Sequence, residues 1–231
     1  MFPKYPDLQV QHQVFDDFDT LNTVASTGLW QTVKGTGGTV ALQDAANGWI
    51  NVPTAASAND YQLLATQKKT FKFAAGKPLY FEAQISCTEA ATNQANLVFG
   101  VSSITTTGIL QTASGGPPTT FDGALLWKQG GTSKWQFTSS AGTAQVANTN
   151  VAAFASATTY RIGFSFDPGD GTLGYLTPFI NGVAPLNGPV IQSHRITYGS
   201  TGALYGVLGV NAGSASAETL SVDYFRIVQA R

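Results

Sequence analysis

The sequence predicts an all-β chain folded as a β-sandwich or barrel, and three observations carry that expectation. Apolar residues recur with period two rather than with the helical period. Turn-forming Gly, Pro, Asn and Asp separate short apolar runs along the length of the chain. The chain closes on "AETLSVDYFRIVQAR" (217–231), an apolar run that is ordered only where partner strands already wait for it. The two ends are therefore expected to meet inside one sheet.

Taken in order, "VFDDF" (14–18), "GWINV" (48–52), "YQLLAT" (61–66) and "TFKF" (70–73) open the strand series. In "PLYFEAQISC" (78–87), Leu79, Phe81, Ala83 and Ile85 are predicted to face a core while Tyr80, Glu82, Gln84 and Ser86 face out. Cys87 falls in step with the inner set, which predicts a buried, inert thiol. "NLVFGV" (96–101), "ALLWK" (124–128) and "KWQFT" (134–138) follow, separated by "TASGGPPTT" (112–120), read as an exposed loop. The Ala-rich stretch 141–157 leaves room for a helical turn, although no amphipathic face persists through it.

"YRIGFSF" (160–166) alternates most cleanly, with Tyr160, Ile162, Phe164 and Phe166 on one face. "DPGDG" (167–171) then reads as a tight connection to "LTPFI" (176–180). Asn181-Gly182 is the strongest short-range hairpin signal. "LYGVLGV" (204–210) precedes the last strand. There Leu220, Val222 and Tyr224 are expected on one face and Phe225 and Ile227 on the other, as in an internal strand covered on both sides. No internal repeat or composition shift divides the chain, so 15–231 reads as one domain preceded by an extended arm over 1–14.

Of the 231 residues 43% are apolar, enough for a sizeable core. Only 11% are charged and the net charge is −1, against roughly 25% charged in an ordinary soluble domain. The densest basic group, Lys68, Lys69 and Lys72, reads as a solvated strand edge, so no face suits a phosphate backbone and nucleic acid is excluded as a partner. No window is long and apolar enough to span a bilayer, which excludes membrane insertion through a helix. The opening "MFPKYPDLQVQHQV" lacks the apolar stretch of a secretory signal, so synthesis in the host cytoplasm is expected. With one cysteine no intrachain disulfide forms.

Three stretches together resemble the concanavalin A-like jelly-roll superfamily of lectins, laminin-G-like domains and glucanases. They are "FDDFD" (15–19), "YLTPFINGVAP" (175–185) preceded by "YRIGFSFDPGDG", and "LSVDYFRIVQ" (220–229). The resemblance implies a β-sandwich of two antiparallel sheets in which the first and last strands pair. The "DDFD" opening, "AAGKPLYFEAQI" (74–85) and "TLSVDYFRIVQAR" (219–231) also resemble structural proteins of tailed phages with this fold. That likeness implies a virion role, foremost as a capsid decoration protein on the outer head surface. Its expected partners are the major capsid protein and further copies of itself, a trimer fitting threefold positions. The alternative is a glycan-binding adhesin of a fibre or of the head.

The candidate chemistry is sparse. Glucanases of the superfamily carry their paired acids on one strand, but at Glu82 the positions i+2 and i+4 hold Gln84 and Ser86. The other glutamates are Glu89 and Glu218. Asp16, Asp17 and Asp19 form an acidic cluster, read as an exposed strand start beside buried Phe15 and Phe18 rather than as a calcium site. His12, His194 and Cys87 make no zinc pattern. "GTGG" (35–38) lacks the lysine and helix of a phosphate loop and reads as a hairpin. No enzyme, no metal and no cofactor are expected.

Glycan binding needs an aromatic platform with a few polar groups. Trp127 and Trp135 read as core and Trp30 is a further candidate, which leaves Trp49, after the turn residue Gly48, as the expected glycan contact. In the arm, Phe2 and Tyr5 beside Pro3 and Pro6 are the expected anchors on a neighbouring subunit.

Overall fold

The computed structural model describes residues 11–23, 27–43, 48–109, 116–187, 190–191 and 193–231. In chain order the first strands are β1 (Gln11–Asp16), β2 (Trp30–Lys34), β3 (Ala41–Leu42), β4 (Ile50–Pro53), β5 (Tyr61–Thr66) and β6 (Leu79–Thr88). Next come β7 (Ala95–Ser102), β8 (Gly123–Lys128), β9 (Lys134–Ala141), β10 (Ala144–Ala153), β11 (Thr159–Asp167) and β12 (Leu173–Ile180). The series ends with β13 (Leu186–Asn187), β14 (Val190–Ile191), β15 (His194–Thr197), β16 (Tyr205–Ala212) and β17 (Thr219–Ala230).

Sheet A has the order β15-β12-β11-β6-β17-β4-β3, with β1 also paired to β17. Sheet B has the order β10-β9-β8-β7-β16-β5-β2. Their inner faces meet in one core, where Phe81, Phe164 and Phe225 of sheet A pack with Phe99, Trp135 and Phe137 of sheet B. Phe164 lies 5.2 Å from Phe81 and 5.7 Å from Phe137 between ring centroids, the offset contacts that aromatic cores favour. A hydrogen bond also ties the sheets, between Ser139 Oγ of β9 and His194 Nδ1 of β15 at 2.8 Å.

The last strand answers the question its sequence raises. β17 pairs with β6 along one edge, while β4 and β1 share the other. Gln11 stands opposite Ala230 and Val14 opposite Ile227, so the first strand closes on the last. β1 thus starts inside the span expected for an arm, and residues 1–10, with Phe2 and Tyr5, lie outside the described residues.

The expectation of two-sided burial for β17 is corrected by a β-bulge. Val222 pairs with Ile85 and Tyr224 with Gln84, which leaves Asp223 as an extra residue. The bulge inverts the alternation. Leu220, Val222, Phe225 and Ile227 therefore all point into the one core, and Tyr224 and Arg226 point out.

Four further expectations change. The stretch 141–157 holds no helical turn; its residues 144–153 are β10, paired to β9. Short Ala, Asn and Thr side chains hide its alternation. "GTGG" is a crossover from sheet B to sheet A, not a hairpin, and wraps the carboxylate of Asp60. Burial alone would raise that carboxyl's pKa. Hydrogen bonds from Ala55 N–H, from Thr36 N–H and hydroxyl and from Gly37 N–H outweigh it and hold the pKa below its ordinary value. "TFKF" forms only an isolated bridge, Phe71 to Leu204, though Phe71 and Phe73 are both buried. Phe15, expected buried, is 49% exposed, whereas Phe18 is buried at a φ of 54°. The chain turns at Phe18, out of phase with the strand before it.

Candidate functional site

The two sheets differ in what lies on their outer faces. On sheet B, Leu63, Val98, Leu125, Trp127 and Val207 form a second apolar cluster. Ile109 and Phe121, from the connection between β7 and β8, complete it and bury that face under the chain itself. A β-carbon at Gly116 would come within 2.6 Å of the Trp127 ring, so only glycine lets the connection lie this close. Trp127 Nε1–H donates to Thr138 Oγ1 at 2.9 Å, which satisfies its one polar group.

Among the described residues the outer face of sheet A is left open, and it carries a polar–aromatic constellation. Strand pairing sets five residues on one register line: Phe15 of β1 opposite Arg226 of β17, Arg226 opposite Glu82 of β6, Glu82 opposite Gly163 of β11, and Gly163 opposite Phe179 of β12. At its centre Glu82 accepts hydrogen bonds from both neighbouring phenols, Tyr80 O–H and Tyr224 O–H, the latter at 2.6 Å. Arg161 Nε lies 3.7 Å from Glu82 Oε2. Burial, then the bond to Glu82 and its charge, pushes the pKa of both phenols far above the ordinary tyrosine value. They stay neutral donors throughout the useful pH range.

Gly163 shapes the aromatic part. A β-carbon there would overlap the Phe179 ring, so its absence lets the ring sit against β11. Phe179 stacks on Tyr80 at 5.3 Å between centroids and 15° between planes. Together with Glu82, Arg161, Ser165 and Thr177 these rings line a shallow cleft of about 300 Å³. A second carboxylate shares the face, because Gln84 Nε2 donates to Asp223 Oδ2 at 2.6 Å beside the bulge. Burial, and then the charge of Asp17, raises the pKa of Asp223.

The sequence singled out Glu82 correctly as an outward carboxylate but not its partners. Tyr80, Tyr224, Arg161, Arg226 and Phe179 hold outward positions of four strands, and only the pairing register brings them together. Trp49 is half-buried just before β4 and does not line the cleft. Trp30 and Trp135 are core residues, and Trp30 Nε1–H donates to Asp16 Oδ2 at 2.6 Å. Glu89 and Glu218 are buried near Lys128, away from this face: Glu89 pairs with Lys128 Nζ, and Glu218 Oε2 accepts from Ala90 N–H at 3.0 Å. Among the described residues no group of three or more His, Cys, Asp or Glu side chains is arranged to hold a metal ion.

No family model and no curated protein matches this sequence. Solved structures do match. The chain is similar to an endo-1,3-β-glucanase from Streptomyces sioyaensis, with 16% identity, 99% of each chain covered and a TM-score of 0.64. It is also similar to the carbohydrate recognition domain of Emp47p, with 14% identity, 96% and 97% coverage and a TM-score of 0.61. An endo-β-1,4-glucuronan lyase from the fungus Trichoderma reesei matches with 10% identity, 93% and 94% coverage and a TM-score of 0.57. These likenesses correct the expectation of no enzyme. The same fold at nearly full coverage serves a glucanase and a lyase as well as lectin domains, so neither the fold nor the missing one-strand acid motif decides that matter. The fold itself is decided: the chain is an all-β, concanavalin A-like jelly roll of two antiparallel sheets.

Proposed function

We propose that the chain binds carbohydrate on the outer face of sheet A. The observation that carries this reading is the Glu82 hub beside the stacked Tyr80 and Phe179 rings, on the sheet face that the described residues leave open. A sugar ring offers an apolar face to an aromatic plane and hydroxyls at its rim. Glu82 is held by two phenols yet keeps lone pairs for further donors, since a carboxylate accepts about four hydrogen bonds. Arg161, Ser165 and Thr177 add polar groups around it. Among the described residues sheet B has no comparable open face, because Trp127 and its neighbours are covered from within.

Isothermal titration against a panel of neutral oligosaccharides tests the reading. Phe179→Ala is expected to weaken binding about tenfold or more, and Glu82→Gln to weaken it while the fold is kept. A folded wild-type protein that binds no saccharide of the panel refutes the proposal. Release of new reducing ends by the wild type, lost in both Glu82→Gln and Asp223→Asn, would add cleavage to binding at the same site.

A second reading puts the protein on the outer surface of a tailed-phage head, as a trimer against the major capsid protein. Its support is the sequence resemblance of "DDFD", "AAGKPLYFEAQI" and "TLSVDYFRIVQAR", which fall on or beside β1, β6 and β17, neighbours in sheet A. Immunogold labelling of intact particles tests it: label spread over heads supports decoration, and label confined to tail tips supports an adhesin.

A further inference from the structure

The register line through Glu82 extends well beyond the cleft. It crosses β1, β17, β6, β11 and β12, with a phenylalanine at each end, Phe15 and Phe179. Four inter-strand steps of about 4.8 Å make it about 19 Å long, the length of several sugar rings. An apolar side chain left about half exposed at the end of such a row can hold the face of a sugar ring. Phe15 meets that description, and its ring lies 6.5 Å from Tyr224, which reaches back to Glu82. Between the two ends, Arg226 Nε is buried without a hydrogen-bond partner among the described residues. An unsatisfied donor in this position costs stability unless a ligand oxygen completes it.

From these observations we infer that the ligand is a linear, extended polysaccharide of the β-1,4-linked ribbon type, lying across the strands from Phe179 to Phe15. The inference rests on the glycan-binding reading and adds its direction, its length and a distal contact. A flat ribbon presents alternating apolar ring faces and equatorial hydroxyls in a line, matching a row of ring, guanidinium, carboxylate and ring. A compact branched glycan or a single terminal sugar would reach only one end. Phe179 with Tyr80 holds one ring of the chain, Glu82 and Arg226 take hydroxyls in the middle, and Phe15 holds a ring at the far end. Gly163 makes room for the Phe179 ring to cover β11 beside Glu82.

Titration of the full chain with cello-, manno- and xylo-oligosaccharides, from disaccharide to hexasaccharide, tests this. Affinity is expected to climb with length in one series, by about tenfold between the shortest and longest members. Phe15→Ala should remove about tenfold from hexasaccharide binding, about 1.4 kcal/mol, and leave the disaccharide unchanged. Being exposed, Phe15 can be truncated without unfolding the sandwich, and an unchanged thermal transition checks this. Equal affinity for short and long members, with Phe15→Ala silent but Phe179→Ala disruptive, overturns the extended site and keeps the glycan-binding reading. No binding in any of these series overturns the extended β-1,4 site, and the glycan-binding reading falls with it only where the wider neutral panel also fails to bind. Self-association of the free protein that Phe15→Ala abolishes, again without binding in these series, would assign the row to contact between copies and also overturn the extended site.

Discussion

His194 joins the two sheets through Ser139, is 1% exposed and packs 4.6 Å from the Phe137 ring. Its other ring nitrogen, Nε2, is buried without a hydrogen-bond partner among the described residues. Nothing there stabilises an imidazolium, and burial lowers its pKa from 6.5 to about 4. Between those two values the unfolded chain takes up a proton that the folded chain refuses, so stability falls as the pH drops below 6.5 and levels off once the pH is below about 4. At pH 5 protonation favours the unfolded state by a factor of about 30 and the folded state by about 1.1, a difference of about 2 kcal/mol. With an m value of about 3 kcal/mol/M, His194 by itself should move the urea midpoint down by about 0.6 M between pH 7 and pH 5. His194→Asn keeps a polar atom near the Nδ1 position and cannot titrate. Asp16, Glu218 and Asp223, with raised pKa values, gain stability on acidification, and His12 and Asp60, with lowered ones, lose it. All five titrate in both proteins, so the comparison isolates His194. The variant should lose about 2 kcal/mol less than the wild type over this interval. Equal losses in the two proteins would refute the reasoning.

Lys128 and Glu89 form a buried ion pair with side-chain exposures of 0% and 2%. Lys128→Met should cost about 3–5 kcal/mol by leaving Glu89 unpaired, and adding Glu89→Gln should recover part of it; chemical denaturation of the single and double variants reads both. Gly163→Ala should displace Phe179 from its place over β11, cost about 1–3 kcal/mol by overpacking and weaken glycan binding, read by thermal melting and titration. Cys87 is buried, and burial pushes its thiol far above the ordinary range; native protein should stay unreactive to a thiol-specific chromogenic disulfide that labels it rapidly in denaturant. Deleting Asp223 should leave a regular strand with Leu220, Val222, Phe225 and Ile227 still facing the core, so the midpoint of an unfolding titration should stay near that of the wild type. A loss of about 3–6 kcal/mol, the burial of two large apolar residues, would contradict the bulge.

Strands whose large apolar residues alternate over one core were readable directly. β6, β11 and the Asn181-Gly182 turn are such cases; the turn closes through reciprocal bonds between Ile180 and Val183, both at 3.0 Å. β10 was not readable, because as an edge strand of small polar residues it is specified by its neighbour β9 rather than by its own pattern. The outward position of Glu82 followed from parity alone. Its ligation by two tyrosines did not, because Tyr224 lies 142 positions away and reaches Glu82 only through the β6–β17 register. Trp49 drew notice as a tryptophan at a turn, but the stacked pair at the cleft is Tyr80 and Phe179, from strands that do not pair directly.

The bulge at Asp223 ties the core to the candidate site. Without the bulge, a strict alternation from Leu220 through Asp223 would carry Tyr224 and Arg226 into the core and Phe225 and Ile227 into solvent. With it, the two apolar residues join Leu220 and Val222 inside, and the phenol and guanidinium emerge beside Glu82. The same step leaves the Asp223 carboxylate on the open face, held by Gln84. The apolar residues that look two-sided in the sequence are thus one core face written in two phases. The polar residues displaced by that change of phase are the ones that build the hub. A bulge costs ladder hydrogen bonds, and a strand at the centre of a sheet keeps one only where the redirected side chains offset the loss. Here burial of Phe225 and Ile227 supplies that offset, so the site on the outer face is held in register by the packing of the inner one.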